Sequence, residues 1–210
     1  KKNSFNRRRQ GDSEMGLWEL LRISFMKLNY KNFEIEIFND GSFTLHSADN
    51  TSSYKNVYYS DNDDFNNKIA VRTFENSQEI SNAIICENGT TNGLTENSLI
   101  INDNKIWICI SNKIYCLEIP SLKLIYHKKL DSVTNFTIYK FKDDFIIHGE
   151  LEIFRITKLG DIKWSFSGKD IWVNIEGKQE VEIKDDRIKL IDFENNEYEI
   201  DFNGIEISEK

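Results

Sequence analysis

Proline and cysteine are scarce in this chain of 210 residues. One proline and ten glycines exclude a collagen-like chain and a proline-rich linker. The three cysteines, Cys86, Cys109 and Cys116, are odd in number and show no CxxC spacing. We therefore expect reduced cysteines that face the core of a cytoplasmic protein.

Long apolar runs are also missing, and no stretch is long enough to span a bilayer as a helix. The apolar segment LWELLRISFM at 17–26 contains Glu19 and Arg22 and lacks a small-residue cleavage site, which argues against a secretion signal. It is typical of a short amphipathic helix over 12–26. The alternative is a leader that does not belong to the native protein, because a strand-like pattern follows directly after Met26.

Basic residues are outnumbered by acidic ones and are unevenly distributed. The formal net charge is −8, yet the first ten residues carry five basic side chains and no acidic one. The rest of the chain therefore has a net charge of −13, which disfavours binding to nucleic-acid phosphates. We interpret residues 1–11 as a disordered basic tail.

The common catalytic motifs are absent as well. The sequence contains no GxSxG, GxxxxGK[ST], HExxH or GxGxxG pattern, so it offers no recognised nucleophile elbow, phosphate loop, zinc helix or dinucleotide site. We expect no cofactor, and enzymatic activity is not favoured.

The apolar residues that are present follow a period of two. From Phe33 onward apolar and polar side chains alternate, and Asn39-Asp40-Gly41 then predicts a hairpin turn into Phe43 and Leu45. The pattern indicates antiparallel sheet.

A repeat of 39 residues is the most informative feature of the second half. Residues 99–117 align without gaps on 138–156, and a third copy begins at 184–193. A period near 40 with several strands in each unit is typical of propeller blades. The corresponding positions are Ile106 with Phe145, Ile108 with Ile147, Ile114 with Ile153, Tyr115 with Phe154 and Tyr198, Leu117 with Ile156 and Ile200, and Gly160 with Gly204.

The repeat predicts the fold of residues 27–210 as one all-β domain. We expect an antiparallel β-propeller-like array of four to five small blades, with the short N-terminal helix as the only helix. A two-sheet β-sandwich is the alternative, because it uses the same hairpins but packs them face to face.

A tight turn at Ser111-Asn112 is predicted inside the first repeat unit. In that register Cys109 lies opposite Ile114, and Cys116 lies opposite Trp107. The two thiols are then diagonal neighbours with backbones about 7–8 Å apart, too far for an easy disulfide.

The segment LEIFRITKLGDIKW at 151–164 resembles the repeat of quinoprotein (PQQ-type) β-propellers. In that repeat a tryptophan follows a loop glycine at the spacing of Gly160 and Trp164 and packs between blades. The resemblance is partial. The first unit has Tyr126 near the tryptophan position and no loop glycine, and the third unit has Gly204 as its loop glycine but Ser208 at the tryptophan position. No adjacent cysteine pair or quinone-cradling set is present, so the resemblance implies the blade and not the cofactor. The structural anchors that we expect are Trp107, Trp164, Tyr115, Phe154, Tyr198, Gly160 and Gly204.

The sequence HGELE is the one candidate for a metal or acid–base site. On a straight strand His148, Glu150 and Glu152 would share one face and could bind a metal or exchange a proton. The repeat instead aligns HGELE with the turn CISNK. We therefore favour a hairpin with Gly149 first in a type II′ turn, and expect no metal or catalytic residue here.

Two classes of function follow from these observations. The first is a non-enzymatic protein-binding module of the cytoplasm, such as an inhibitor or immunity-type protein that recognises a basic toxin. The second is a quinone- or metal-dependent enzyme of quinoprotein type with a site near His148. The absence of clustered ligands favours the first class.

Overall fold

The computed structural model describes residues 25–60, 65–90 and 93–207. Within these ranges the protein is almost entirely β-structure, with sixteen strands and one short 3₁₀ helix, Glu96–Ser98. The strands form four sheets that follow one another along the chain. No helix in the described part is long and apolar enough to cross a membrane.

The first sheet has five strands in the order β1-β2-β4-β5-β3. Four of them form an antiparallel meander, and the segment between β2 and β4 adds β3, which pairs in parallel with β5 at the edge. Alternation buries Ile35 and Ile37 of β2 completely, while Glu34 and Glu36 stay partly exposed. The strands are β1 (Phe25–Tyr30), β2 (Phe33–Asn39), β3 (Asn56–Tyr59), β4 (Asn67–Glu75) and β5 (Gln78–Glu87).

The second and third sheets are antiparallel meanders of four strands each. Their second strands both span six residues, and the first residues of these strands, Lys105 and Asp144, are 39 positions apart. The second sheet contains β6 (Leu99–Asn102), β7 (Lys105–Ile110), β8 (Lys113–Glu118) and β9 (Leu124–Lys129). The third contains β10 (Asn135–Phe141), β11 (Asp144–Gly149), β12 (Ile153–Thr157) and β13 (Ile162–Phe166).

The fourth sheet has three strands, and an isolated bridge between Ile200 and Glu206 lies beside its last strand. Its hairpins are antiparallel like those of the other meanders. The strands are β14 (Val181–Ile183), β15 (Ile188–Ile191) and β16 (Glu197–Ile200).

Three apolar clusters lie between consecutive sheets. In β7 Ile108 belongs to the cluster shared with the first sheet, and its neighbour Trp107 belongs to the cluster shared with the third. In β11 Phe145 faces the second sheet, and Ile146 faces the fourth. Because successive side chains of a strand point to opposite faces, both inner sheets bury both faces. The four sheets therefore stack in chain order.

The two outermost faces of the stack do not pack on another sheet within the described residues. On the first sheet, Phe43 and Phe65 from the segment between β2 and β4 cover Ile84 and Cys86. The outer side of the fourth sheet carries ion pairs instead: Lys189 and Arg187 both bind Glu199, the former at 2.8 Å. The described stack thus ends in a covered face and a charged face.

Contacts between an aromatic ring and a glycine connect the edges of successive sheets. Gly160 in the β12–β13 turn has φ of +88° and lies so close to Tyr126 of β9 that an added Cβ would be 2.6 Å from the ring. Gly204 after β16 repeats this contact with Trp164 of β13, at 2.7 Å and φ of +80°. Each ring also donates a hydrogen bond to the carbonyl two residues before its glycine: Tyr126 to Lys158 at 3.2 Å and Trp164 to Phe202 at 3.0 Å.

The expected anchors differ in depth. Trp107 is fully buried between the second and third sheets and donates to the Tyr126 hydroxyl at 2.9 Å. Trp164 lies between the third and fourth sheets but is only half-buried. Tyr115 and Phe154 are buried in two different clusters, and Tyr198 packs at the margin of a third.

The prediction for the N-terminal segment falls almost wholly outside the described residues. The helix was expected over 12–26, and only Phe25 and Met26 of that range are described. These two residues begin β1 and pair with Phe38 and Ile37 of β2, so the helix prediction is wrong for its last two positions. Met26 points into the core, which fixes it in the strand.

The hairpin predicted at Asn39-Asp40-Gly41 is wrong. β2 pairs with β1 and β4, and Phe43 and Leu45 lie in the irregular segment that covers the first sheet. The cause is Asp40, a buried carboxylate that accepts hydrogen bonds from Ser42 and Tyr54, both at 2.7 Å. These bonds fold the segment back on itself, so a ladder with β2 does not form.

The predicted register around Ser111-Asn112 is confirmed. Cys109 pairs with Ile114, and Cys116 pairs with Trp107. All three cysteines are free and buried, and burial raises the pKa of Cys86 to about 11 and that of Cys116 to about 12. The thiols are therefore neutral core side chains.

Candidate functional site at the loop face

The turns and connections at one end of the stack form a continuous surface, which we call the loop face. It consists of residues 111–112, 130–135, 149–152, 167–180 and 192–196, which link β7 to β8, β9 to β10, β11 to β12, β13 to β14 and β15 to β16. In an antiparallel meander these links all emerge at the same end of their sheets. The loop face is therefore assembled from five connections, which belong to the second, third and fourth sheets.

Backbone hydrogen bonds run across the loop face from sheet to sheet. Asn135 N–H donates to the Ser111 carbonyl at 2.8 Å, and Glu150 N–H donates to Thr134 at 2.9 Å. Trp172 N–H donates to the Glu150 carbonyl at 2.7 Å. A further bond at 2.9 Å joins the Phe193 amide to the 167–180 connection. Loops bonded in this way are held in one arrangement before any partner arrives.

HGELE forms the hairpin between β11 and β12, but not the predicted turn. His148 pairs with Ile153, and the Gly149 amide donates to the Glu152 carbonyl at 3.0 Å, so Glu150 and Leu151 lie at the tip instead of Gly149 and Glu150. Gly149 has no positive φ, so the type II′ prediction is wrong. Glycine is needed here for space, because a Cβ would lie 2.5 Å from the Asp131 carboxylate.

Asp131 is the buried carboxylate that fixes this hairpin. It is fully buried, and it accepts from the amides of Leu151 at 2.8 Å and Glu152 at 3.0 Å. Its other oxygen accepts from Val133 N–H at 2.8 Å, within its own turn. A buried carboxylate is tolerated when several donors satisfy it. Asp131 therefore ties the β9–β10 connection to the HGELE hairpin.

His148 is a structural histidine in this geometry. Its ring is buried, and Nε2 donates to the Trp172 carbonyl at 2.7 Å, because a carbonyl can only accept. The Phe136 ring packs edge-on at 5.2 Å. Burial lowers the pKa of His148, although the Trp172 carbonyl and the charges of Glu180 and Asp131 oppose the shift. The neutral ring joins β11 to the 167–180 connection.

The two glutamates of HGELE do not converge with His148 on a common ligand position. Desolvation and the nearby charge of Asp131 raise the pKa of Glu150. Glu152 instead accepts from the hydroxyls of Ser165 and Ser167, each at 3.3 Å. Among the described residues, no group of three acidic, histidine or cysteine side chains is arranged to hold a metal ion.

Two exposed apolar side chains stand out on the loop face. Ile175 is 72% exposed and Phe193 is 39% exposed. Their loops are joined by a hydrogen bond of 3.1 Å from Asn174 to Asn195, and each apolar residue is followed by an exposed glutamate, Glu176 or Glu194. We call these four residues, Ile175, Glu176, Phe193 and Glu194, the apolar–acidic patch.

Sequence reasoning missed this patch for a physical reason. Residues 167–180 contain little periodic pattern, and the chain separation between Ile175 and Phe193 hides their proximity. The fully buried Trp172 is the available signal, because it anchors the connection and leaves the residues after it at the surface.

Comparisons with known proteins do not assign this chain to a family. No family model matches it, and no curated protein matches it. The solved structures that it resembles include the computationally designed Ika4 protein, with a TM-score of 0.47, 9% identity, and coverage of 83% of this chain and 88% of that chain.

Two further structures are similar at the same low level. The computationally designed Ika8 protein has a TM-score of 0.46 and 11% identity, with coverage of 87% of this chain and 59% of that chain. The AfRom2 CNH domain has a TM-score of 0.41 and 7% identity, with coverage of 84% and 54%. Likenesses this distant support no argument about activity.

Proposed function

We propose that this chain is a non-enzymatic protein-binding module, built as a propeller-like array of four blades, which engages a basic protein through the loop face. The observation that carries the proposal is the apolar–acidic patch: exposed Ile175 and Phe193 beside Glu176 and Glu194, on loops already hydrogen-bonded to one another. The array is preferred to a two-sheet sandwich because both inner sheets pack on two neighbours.

The chemistry of the patch fits association better than catalysis. Apolar side chains at the centre of an interface supply affinity when they lose water, and the carboxylates around them select and steer a partner of opposite charge. In the segments 167–180 and 192–196, four carboxylates stand against two lysines when the buried Asp192 is left out. The partner that fits is a protein with a basic surface, and a cytoplasmic inhibitor or immunity-type role against a basic toxin is the form we propose.

Affinity capture with matched baits tests this proposal. The wild-type chain, Ile175→Asp with Phe193→Asp, and Leu159→Asp are immobilised and exposed to the native cell extract. Leu159 is the control because it is 71% exposed, like Ile175, but lies in the β12–β13 turn at the opposite end of the third sheet. We expect one stoichiometric basic protein on the wild-type and Leu159→Asp baits and none on the double variant.

The captured protein is then purified and titrated against each variant. We expect a 1:1 complex whose affinity falls with added salt, because complementary charges contribute to it. Glu176→Gln with Glu194→Gln should slow association more than it speeds dissociation. Equal binding by the Ile175/Phe193 double variant, or a partner that is acidic, would contradict the proposal.

A further inference from the structure

A second concave site lies away from the loop face, between the edges of the first and second sheets. It opens between β3, the edge strand of the first sheet, and β9, the edge strand of the second. The site is lined almost entirely by aromatic and aliphatic side chains: Val57, Tyr58, Tyr59, Tyr115, Leu124 and His127.

The size of this edge pocket limits what it can hold. Its volume is about 150 Å³, and it is open to solvent on one side. An enclosed cavity of this size lined by apolar side chains takes up a single benzene ring. A nucleotide, a sugar chain or a fused-ring cofactor needs several times this space. The volume therefore favours one six-membered ring.

The floor of the edge pocket is the ring of Tyr115, which is held rigidly. Tyr115 is 1% exposed, and its hydroxyl donates to the buried carboxylate of Glu87. Lys113 binds the same carboxylate at 2.6 Å, and Ser60 donates to it as well. Burial and the charge of Glu87 raise the pKa of Tyr115, so the hydroxyl stays protonated and the floor stays neutral.

The walls offer aromatic surface but few polar groups. The Tyr58 hydroxyl donates to the Leu122 carbonyl at 2.8 Å and accepts from Leu124 N–H at 2.9 Å, so it is already satisfied. At the mouth, the exposed His127 ring lies nearly parallel to Tyr115, with centroids 5.2 Å apart and planes 20° apart. Tyr59 is 46% exposed on the other side. The ring nitrogens of His127 and the hydroxyl of Tyr59 are the polar side-chain groups of the lining that belong to exposed residues.

We propose that the edge pocket binds a small molecule with a single aromatic ring, whose hydrogen-bonding substituent points outward to His127. The ring packs against the aromatic walls above Tyr115, where stacked or edge-on contacts are favourable. The substituent remains at the mouth, because the hydroxyls deeper in the pocket are engaged within the protein. This site is independent of the loop face and of the function proposed for it.

Fluorine NMR with 4-fluorophenol tests the site on the complete chain. A ligand of about eight heavy atoms in a pocket this small should bind with a dissociation constant on the order of 1 mM, which shifts and broadens the fluorine resonance. Two further probes, 4-fluorobenzoate and 4-fluorobenzylamine, carry an anionic and a cationic substituent, and their affinities show which substituent binds best beside His127. Cyclohexanol serves as the non-aromatic competitor, and we expect it to displace 4-fluorophenol poorly.

Variants of the exposed mouth locate the binding without disturbing the core. We expect His127→Ala and Tyr59→Ala each to weaken binding about threefold to tenfold, the value of one ring contact. Lys128→Ala is the matched control, because Lys128 pairs with Ile114 on the opposite face of β9, and it should bind like the wild type. Thermal unfolding of each variant verifies that it is folded.

Any one of three results would overturn the inference. The first is that none of the three fluorinated rings binds when the protein is titrated to a ligand concentration 20-fold above about 1 mM. The second is that cyclohexanol displaces 4-fluorophenol as well as an aromatic competitor does, and the third is that folded His127→Ala and Tyr59→Ala bind 4-fluorophenol like the wild type. Loss of partner binding at the loop face, with 4-fluorophenol binding intact, would bear on the proposed function alone.

Discussion

His148 shows how one buried titratable side chain connects solution pH to stability. Folding lowers its pKa from the usual value of about 6.5, so the unfolded chain binds more protons than the native protein once the pH falls below about 6.5. The contribution of the neutral ring is fully present above that pH. It is lost progressively below it, at up to about 1.4 kcal/mol per pH unit, until the lowered native pKa is reached.

We therefore expect wild type to lose more of its unfolding free energy than His148→Gln between pH 7.5 and pH 5.5, by up to about 1.4 kcal/mol. Urea titrations of both proteins at the two pH values measure the difference. Glu180 and Asp131, whose charges act on the ring, are present in both proteins, so their contributions cancel in first order. Parallel losses in the two proteins would mean that His148 is not buried in its neutral form.

The Glu87–Lys113 ion pair gives a second prediction at this scale. The Glu87 side chain is 2% exposed and that of Lys113 is 16% exposed, so Lys113→Met leaves a carboxylate in the interior without its counter-charge. We expect a loss on the order of 3 kcal/mol in urea unfolding. Lys113→Met with Glu87→Gln should recover part of that loss, because the charge itself is removed. A single-variant loss within error of zero would show that solvent screens this pair.

At individual positions, the sequence predicted the alternation of apolar and polar side chains along a strand better than it predicted which distant residues contact one another. The register of Cys109 and Cys116 followed from a local turn. The roles of Gly149 and Asp131 depend on a contact between segments 18 residues apart, which a local pattern does not contain. The edge pocket was missed for the same reason, since its walls come from β3 and β9.

At the scale of strands and turns, the aromatic–glycine contacts can be tested with a matched pair of variants. Gly204 and Gly177 have nearly equal φ, +80° and +77°, but a Cβ at Gly204 would meet the Trp164 ring whereas one at Gly177 would meet nothing within 4 Å. Both substitutions by alanine carry the backbone cost of about 1–2 kcal/mol.

We expect Gly204→Ala to be more destabilising than Gly177→Ala by about 1–3 kcal/mol, because the Trp164 ring must shift. The two melting temperatures and urea midpoints supply the comparison. Equal effects would mean that the ring contact contributes nothing and that only backbone strain is measured.

The two anchor tryptophans should respond unequally to truncation. Trp107→Ala removes a fully buried side chain and should cost about 3–5 kcal/mol. Trp164 is half-buried, so its truncation should cost less, and its fluorescence should be shifted to longer wavelength than that of a buried indole. Thermal unfolding of both variants measures the order, and a larger loss for Trp164→Ala would contradict the observed burial.

Among the elements, those with a regular period were predictable. The alternation of apolar and polar residues predicted strands, and the 39-residue repeat stays a prediction beside the observation that β7 and β11 begin 39 residues apart. The hairpin prediction failed in the segment 40–55, because the buried Asp40 carboxylate organises this segment through side-chain hydrogen bonds. The alternation of apolar and polar residues does not reveal such bonds.

For the whole molecule, the three apolar clusters imply that the free energy of unfolding depends on contacts between neighbouring sheets. Each cluster joins two consecutive sheets, so the stack resembles arrays in which stability depends on nearest-neighbour contacts. The sequence predicted the all-β class of the molecule, because its apolar residues follow a period of two. The composition of the loop face could not be predicted, because this surface forms only when connections from the second, third and fourth sheets are brought to one end.

Hydrogen exchange of the loop-face amides tests whether the proposed binding surface is ordered in the free protein. The amides of Glu150, Trp172 and Phe193 donate to carbonyls across this face. We expect them to exchange slowly, with protection close to that of the strand amides in β11. Exchange of these three amides at the rate of an unstructured peptide, while β11 stays protected, would contradict a preformed loop face.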